Sequence, residues 1–156
     1  MSEVLQEIDQ MVLRAQKALE VMKTFSQEQV DKITEAMCNA GSAAGVNLAE
    51  MAVEETGIGK LEDKAMKNYV ATQVVYDQMK DEKSVGIIGE ANGVIHIAEP
   101  FGVVAAVTPT TNPTSTTLCN AMISLKGRNV IIFAFHPRAQ QCCVASAQIL
   151  LDAAVA

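Results

Sequence analysis

Two short apolar runs limit what this chain can fold into more than any other feature. "GVVAAVT" at 102–108 and "NVIIFAF" at 129–135 show no alternation of polar and apolar residues. A strand reads this way when both of its faces are covered by helices. Between the runs, Thr114 to about Lys126 has room for one helix, and a further helix starts near Arg138. Strand, helix, strand, helix is the order of a parallel sheet flanked by helices, because a crossover helix returns the chain to the same edge.

The junction after the first run is the most informative segment. "VTPTTNPTST", Val107 to Thr116, puts Pro109 and Pro113 where a central strand would need ladder donors, so the strand ends near Thr108. Thr114 and Ser115 carry the side-chain oxygens of an N-cap region. Such a junction brings polar groups to the carboxyl edge of the sheet, where open α/β folds bind ligands. Asn112 has an amide NH2 able to donate to an oxyanion forming on a carbonyl carbon. Its everyday use is a turn, bonded to its own backbone. His136, in "FAFHPR", is by itself more often a loop histidine than a base.

Upstream the rhythm is helical. Val4, Ile8, Met11, Val12, Ala15, Leu19 and Met22 recur at three- and four-residue steps and form one stripe. Such a stripe suits a helix docked on its own domain better than an encapsulation helix. Ser26 and Gln29 make a capping-box pair ahead of a second helix through Val30, Ile33 and Met37. Gly41 and Gly45 are expected to interrupt it. A third helix then runs through Leu48, Met51, Ala52 and Glu55 to Gly57, and Leu61 to Lys80 makes a fourth. Near Asp81 the period changes. Val94 to Ile97 alternate and "ANG" is a turn signal, so 84–99 reads as two strands joined by a tight turn. A lone two-stranded ribbon is marginal in water, which predicts an arm that packs against another subunit.

Composition removes several classes of function. The net charge is −6 and aromatic residues make up 4%, which leaves neither a basic stripe nor a stacking platform for nucleic acid. No apolar run approaches the roughly 18 residues needed to span a bilayer. "MSEVLQEIDQ" lacks the basic-then-apolar layout of a secretory signal. A cytoplasmic protein with no membrane partner is expected. Cys38, Cys119, Cys142 and Cys143 show neither a Cys-x-x-Cys pair nor zinc-type spacing with histidine, so they read as reduced thiols and no metal is expected. At least one of the adjacent Cys142 and Cys143 is expected to be packing. "VASAQILLDAAVA" is still in helical rhythm at Ala156, and a two-stranded parallel sheet leaves open edges. Both features read as the front portion of a longer protein, or a chain completed by another.

The segment "EPFGVVAAVTPTTNPTSTTLCNAMISLKGRNVIIFAFHPRA" closely resembles the start of the cofactor domain in CoA-acylating aldehyde dehydrogenases, stand-alone or as half of bifunctional aldehyde-alcohol dehydrogenases. "FSQEQVDKI", "LAEMAVEETGIGKLEDKAMKN" and "DEKSVGIIGE" resemble the same family's N-terminal helices and linker, so nearly the whole chain is covered. The fold this implies is α/β: a helical N-terminal part (1–83), a β-hairpin oligomerisation arm (84–99), and the first β-α-β-α units of an aldehyde-dehydrogenase-like Rossmann domain (100–156), incomplete.

The resemblance implies an enzyme that oxidises a small aldehyde with NAD through a thiohemiacetal and a thioester, then passes the acyl group to coenzyme A, or runs in reverse from acyl-CoA. A homo-oligomer in the cytoplasm is implied, with a bacterial microcompartment as the alternative location. By the same resemblance Asn112 falls on the oxyanion asparagine. Thr108, Pro109, Thr110 and Thr111 fall on the loop beside the nicotinamide ribose, and Ala134, Phe135, His136, Pro137 and Arg138 on the loop that holds the adenosine side of NAD. Backbone N–H groups and the Arg138 cation are expected to face that adenosine. The departures are Ala134, where the family usually has a small hydroxyl residue, and the catalytic cysteine, which none of the four cysteines matches. The isolated chain is therefore expected to be inactive. The other reading is a non-catalytic remnant or binding module that associates with a full-length enzyme.

Overall fold

The computed structural model describes residues 3–156. Helix α1 (Glu3–Met22) is followed by α2 (Gln27–Ala43), whose start has the expected reciprocal cap: Ser26 Oγ accepts from Gln29 N, and Gln29 Oε1 accepts from Ser26 N. Helix α3 (Gly45–Thr56) ends at Gly57 in the left-handed conformation. The fourth helical run is one rod with an irregular middle. Helix α4 (Leu61–Tyr69) passes through a π-helical turn (Val70–Val74) into α5 (Val75–Met79).

The glycine expectation needs correction. Gly41 does not interrupt a helix but lies buried inside α2, and Gly45 opens α3. A Cβ at Gly41 would come within 2.9 Å of Thr72 Cγ2 and 3.3 Å of the Leu118 and Leu150 side chains. Packing, not chain direction, requires the missing side chain there. Around that approach α2, α3, α6 and α7 share a core of Met37, Cys38, Leu48, Leu118, Met122 and Leu150, so the N-terminal helices and the β-α-β-α segment bury one another.

Strands β1 (Gly86–Ala91) and β2 (Val94–Ala98) form the expected antiparallel hairpin. Asn92 and Gly93, both at positive φ, make its two-residue turn. Its side chains are largely exposed, Ile87, Val94, Ile95 and Ile97 among them. It is tied to the body at its roots. Gln27 Oε1 accepts from the N–H groups of Ser84 and Val85, and Arg128 donates to the Ala98 carbonyl.

Strands β3 (Val103–Thr108) and β4 (Val130–Phe135) pair in parallel, with Val103 opposite Val130 and Thr108 opposite Phe135. Helices α6 (Pro113–Lys126) and α7 (Gln140–Val155) cover one face. The expectation that both faces are covered fails at the carboxyl end. Helix α1 reaches the other face, yet Val107 is 80% exposed and Ala134 is exposed beside it. Apolar content alone could not separate a strand sandwiched by helices from one with a bare end. No helix among the described residues is long and apolar enough to cross a membrane.

Candidate active site

Because Thr108 and Phe135 are partners, the loops after β3 and β4 leave the sheet side by side. The β3 loop does not start its helix where expected. Asn112 is the N-cap and Pro113 the first helical residue, not Thr114 or Ser115. Proline suits that position, since its fixed φ is helical and its missing N–H would have had no partner. Thr114 is left to do something else. Its hydroxyl donates to buried Asn68 Oδ1 at 2.8 Å, while Asn68 Nδ2 donates to the Gly45 carbonyl at 2.8 Å.

Asn68 is one of three residues on one face of α4 that hold this loop. Lys64 Nζ donates to the Thr111 carbonyl at 3.2 Å, and Lys67 Nζ to Asn112 Oδ1 at 2.8 Å. Positions 64, 67 and 68 are spaced three and four apart, the spacing that lines up side chains on a helix. Lys64 is only 4% exposed. Burial, and then the like charge of Lys67, holds its pKa below the ordinary lysine value. Sequence reading missed all three residues, although "EDKAMKN" lies within a segment that resembles the family. A lysine and an asparagine one turn apart on a buried face were the available signal; their partners more than forty residues away were not.

Asn112 keeps its side chain out of helix capping. With Oδ1 on Lys67, the NH2 half has one protein contact, the Thr111 hydroxyl at 3.5 Å, at the outer limit of a hydrogen bond. The residue stands on the wall of a cleft of about 520 Å³, with Ser115 and Cys119 of α6 beside it and Val70, Ala71 and Val75 opposite. The π-turn explains the apolar wall. At α-helical pitch, residues five apart point about 140° away from each other, whereas an i→i+5 turn brings them onto one side. Hydrophobic periodicity carries no sign of such a turn.

The other expected site residues divide between surface and core. Pro109 and Thr111 are exposed and Thr110 is half-buried, but Thr108 is buried with its hydroxyl 3.8 Å from Cys143 Sγ. Ala134 and Phe135, expected on the loop, are the last residues of β4: Ala134 is exposed and half-buried Phe135 stacks on Phe133 at 5.2 Å, while His136, Pro137 and Arg138 follow the strand exposed.

Some donors of the second loop already have protein partners, while the remaining N–H groups of the exposed Arg138 guanidinium stay open. Arg138 N donates to His136 Nδ1 at 3.1 Å, and the Arg138 guanidinium donates to the Thr56 carbonyl at 3.3 Å. The carboxylate of Glu55 accepts from Gln141 N and Cys142 N at 2.8 Å each, closing the N-terminus of α7. Burial works against that carboxylate, but the N–H groups of Cys142 and Gln141, helped by the Cys142 thiol and Gln140 N–H, hold its pKa below the ordinary value. An acid supplied by α3 thus occupies two N–H groups at the start of α7.

All four cysteines are thiols. Cys38, Cys142 and Cys143 are fully buried, and burial pushes the half-buried Cys119 thiol up. Both members of the adjacent pair are packing residues.

The model of the aldehyde dehydrogenase family matches residues 4–156. The chain belongs to the aldehyde dehydrogenase family. It is 47% identical over 152 residues to the bifunctional aldehyde-alcohol dehydrogenase of Escherichia coli K12, covering 96% of this chain and 17% of that protein. Among solved structures, an acetylating aldehyde dehydrogenase from Geobacillus thermoglucosidasius superposes with a TM-score of 0.92 at 43% identity, covering 96% of this chain and 34% of the other. Rhodopseudomonas palustris propionaldehyde dehydrogenase, solved with bound CoA and an acylated cysteine, superposes with a TM-score of 0.77 at 29% identity, over 94% of this chain and 34% of that one. The chain therefore spans about a third of the solved aldehyde dehydrogenases it matches and about a sixth of the bifunctional relative.

Proposed function

We propose that this chain is the N-terminal part of an NAD-dependent, CoA-acylating aldehyde dehydrogenase, which converts a small aldehyde, NAD and coenzyme A reversibly into acyl-CoA and NADH. The observation that carries the reading is Asn112. It stands on the wall of a cleft with the acceptor half of its amide engaged and the donor half left to bind an oxyanion.

Two tetrahedral oxygens form in such a reaction, one when a thiolate adds to the aldehyde and one when CoA adds to the thioester. A single positioned NH2 serves both, because the developing charge sits on the same oxygen each time. The acyl chain lies against the apolar Val70–Val75 wall. CoA and an acylated cysteine in the Rhodopseudomonas relative support this chemistry.

NAD, when bound, accepts the hydride. The residues present fit part of it: the bare strand end at Val107 and Ala134 is a surface for the nucleoside, with Pro109, Thr110 and Thr111 directly after it in the chain. The pyrophosphate finds no open donors at the start of α7, since Glu55 occupies them. Residues 1–83 serve as helical support for this domain, 84–99 as an arm bridging subunits of a homo-oligomer, and 100–156 as the beginning of the NAD-binding part. A cytoplasmic location follows from the same reading.

The test has two parts. The isolated chain should form no acyl-CoA from acetaldehyde, NAD and CoA, because three of its thiols are buried and the fourth is held as a thiol. Product above a blank would refute this. In a complete enzyme carrying these residues, Asn112→Ala should lower kcat roughly 10²- to 10³-fold, and an unchanged kcat in a folded variant would reduce Asn112 to a turn residue.

A further inference from the structure

We propose that Lys67 is a positioning residue for this site: by holding Asn112 Oδ1 at 2.8 Å it sets which half of the carboxamide faces the reacting carbonyl. The inference rests on the oxyanion role of Asn112 proposed above.

A carboxamide has two nearly isosteric ends of opposite polarity. Turned by half a rotation, Asn112 would present its carbonyl oxygen to a forming oxyanion and repel it. Lysine resolves the choice, because an ammonium has three donors and no acceptor, so only the oxygen of Asn112 can face it. The NH2 is then the end left for the cleft. Donation into Oδ1 also polarises the amide and strengthens its N–H groups as donors. The ammonium is exposed, so water and salt screen its direct attraction for an oxyanion and orientation is the larger effect.

The frame around this contact makes it more than a chance surface pair. Lys64, one turn before it, and Asn68, the next residue, anchor the Thr111 carbonyl and the Thr114 hydroxyl from α4. The backbone bearing Asn112 is thus held before and after it, and Lys67 determines the last torsion. Once the scaffold fixes the loop, one hydrogen bond suffices to fix the amide.

The experiment uses a complete acylating aldehyde dehydrogenase carrying these residues. Lys67→Met, which keeps the length and removes the donors, should lower kcat roughly 10- to 100-fold, with KM for NAD and CoA unchanged. Lys67→Arg should recover most of the rate, since a guanidinium also donates to Oδ1. Added to Asn112→Ala, Lys67→Met should cost nothing more, as two residues acting through one amide are not additive. If Asn112→Ala turns over normally, the oxyanion reading has failed. If it is slow while Lys67→Met is as fast as the parent, or if the two losses multiply, the positioning role alone has failed. The 156-residue chain provides a readout independent of turnover. The carboxamide ¹⁵N–¹H signals of Asn112 should shift in Lys67→Met and return in Lys67→Arg, and unshifted signals would overturn the inference.

Discussion

The two loops at the carboxyl edge begin at the same level of one sheet, yet they are prepared in opposite ways. The β3 loop is gripped from outside. Three side chains of α4 engage the Thr111 carbonyl, Asn112 Oδ1 and the Thr114 hydroxyl, and leave an amide NH2 over. The β4 loop closes on itself and on α3. His136, Glu55 and the Thr56 carbonyl take up the N–H groups of Arg138, Gln141 and Cys142 and one nitrogen of the Arg138 guanidinium. Polar residues at a strand end therefore say little about available donors. What matters is whether neighbouring elements bring acceptors or donors to meet them, and here α4 brings two lysine donors and one amide acceptor while α3 brings a carboxylate.

The sharpest way to break the contrast is to remove the grip. Asn68 is 1% exposed and bonded at both ends of its amide. Asn68→Ala should destabilise the chain by about 2–4 kcal/mol, because it strands a buried carbonyl and a buried hydroxyl. Chemical denaturation of the chain measures this directly, and a loss well under 1 kcal/mol would mean that water replaces the amide and the grip is loose.

Glu55→Gln acts on the other loop and should cost less, about 0.5–2 kcal/mol, the usual worth of a helix cap. Its pH dependence identifies the cause. Folding lowers the Glu55 pKa below its ordinary 4.5, so the carboxylate's contribution is complete above that value and is lost as acid titrates the folded protein below it. The difference between parent and variant in denaturation midpoint should be present at neutral pH and shrink below pH 4.5. A difference that persists in acid would show that packing, not charge, holds the two elements together.

Ala134→Ser has the smallest expected effect. In a complete enzyme it adds one hydroxyl to the bare strand end and should tighten NAD by about 0.5–1.5 kcal/mol, one hydrogen bond. Calorimetry reads this, and an unchanged dissociation constant would show that Ala134 does not meet the ribose.

Much of the fold was legible because it depends on local signals. The Ser26–Gln29 box, the Asn92–Gly93 turn and the two apolar runs each express a preference of a few adjacent residues, and each appears where expected. The reading failed where a residue answers to something distant in the chain. Gly41 looked like a helix breaker and is a contact point for Thr72, Leu118 and Leu150. Thr114 looked like a cap and is a donor to Asn68. The site divides along the same line. Asn112 could be singled out from its loop and from the resemblance, whereas Lys64, Lys67 and Asn68 are ordinary residues of a polar helix until α4 is laid against that loop.

By itself, then, the sequence determined the order of helices and strands, the hairpin, the parallel pair and the loop that carries Asn112, since periodicity, capping and proline chemistry act within a few residues. Only the tertiary structure decided which polar groups at the carboxyl edge remain available. Hydrogen-bond capacity is shared out among whatever groups the fold brings within about 3 Å, and those partners lie 45 residues away for Lys67 and Asn112 and 86 for Glu55 and Gln141.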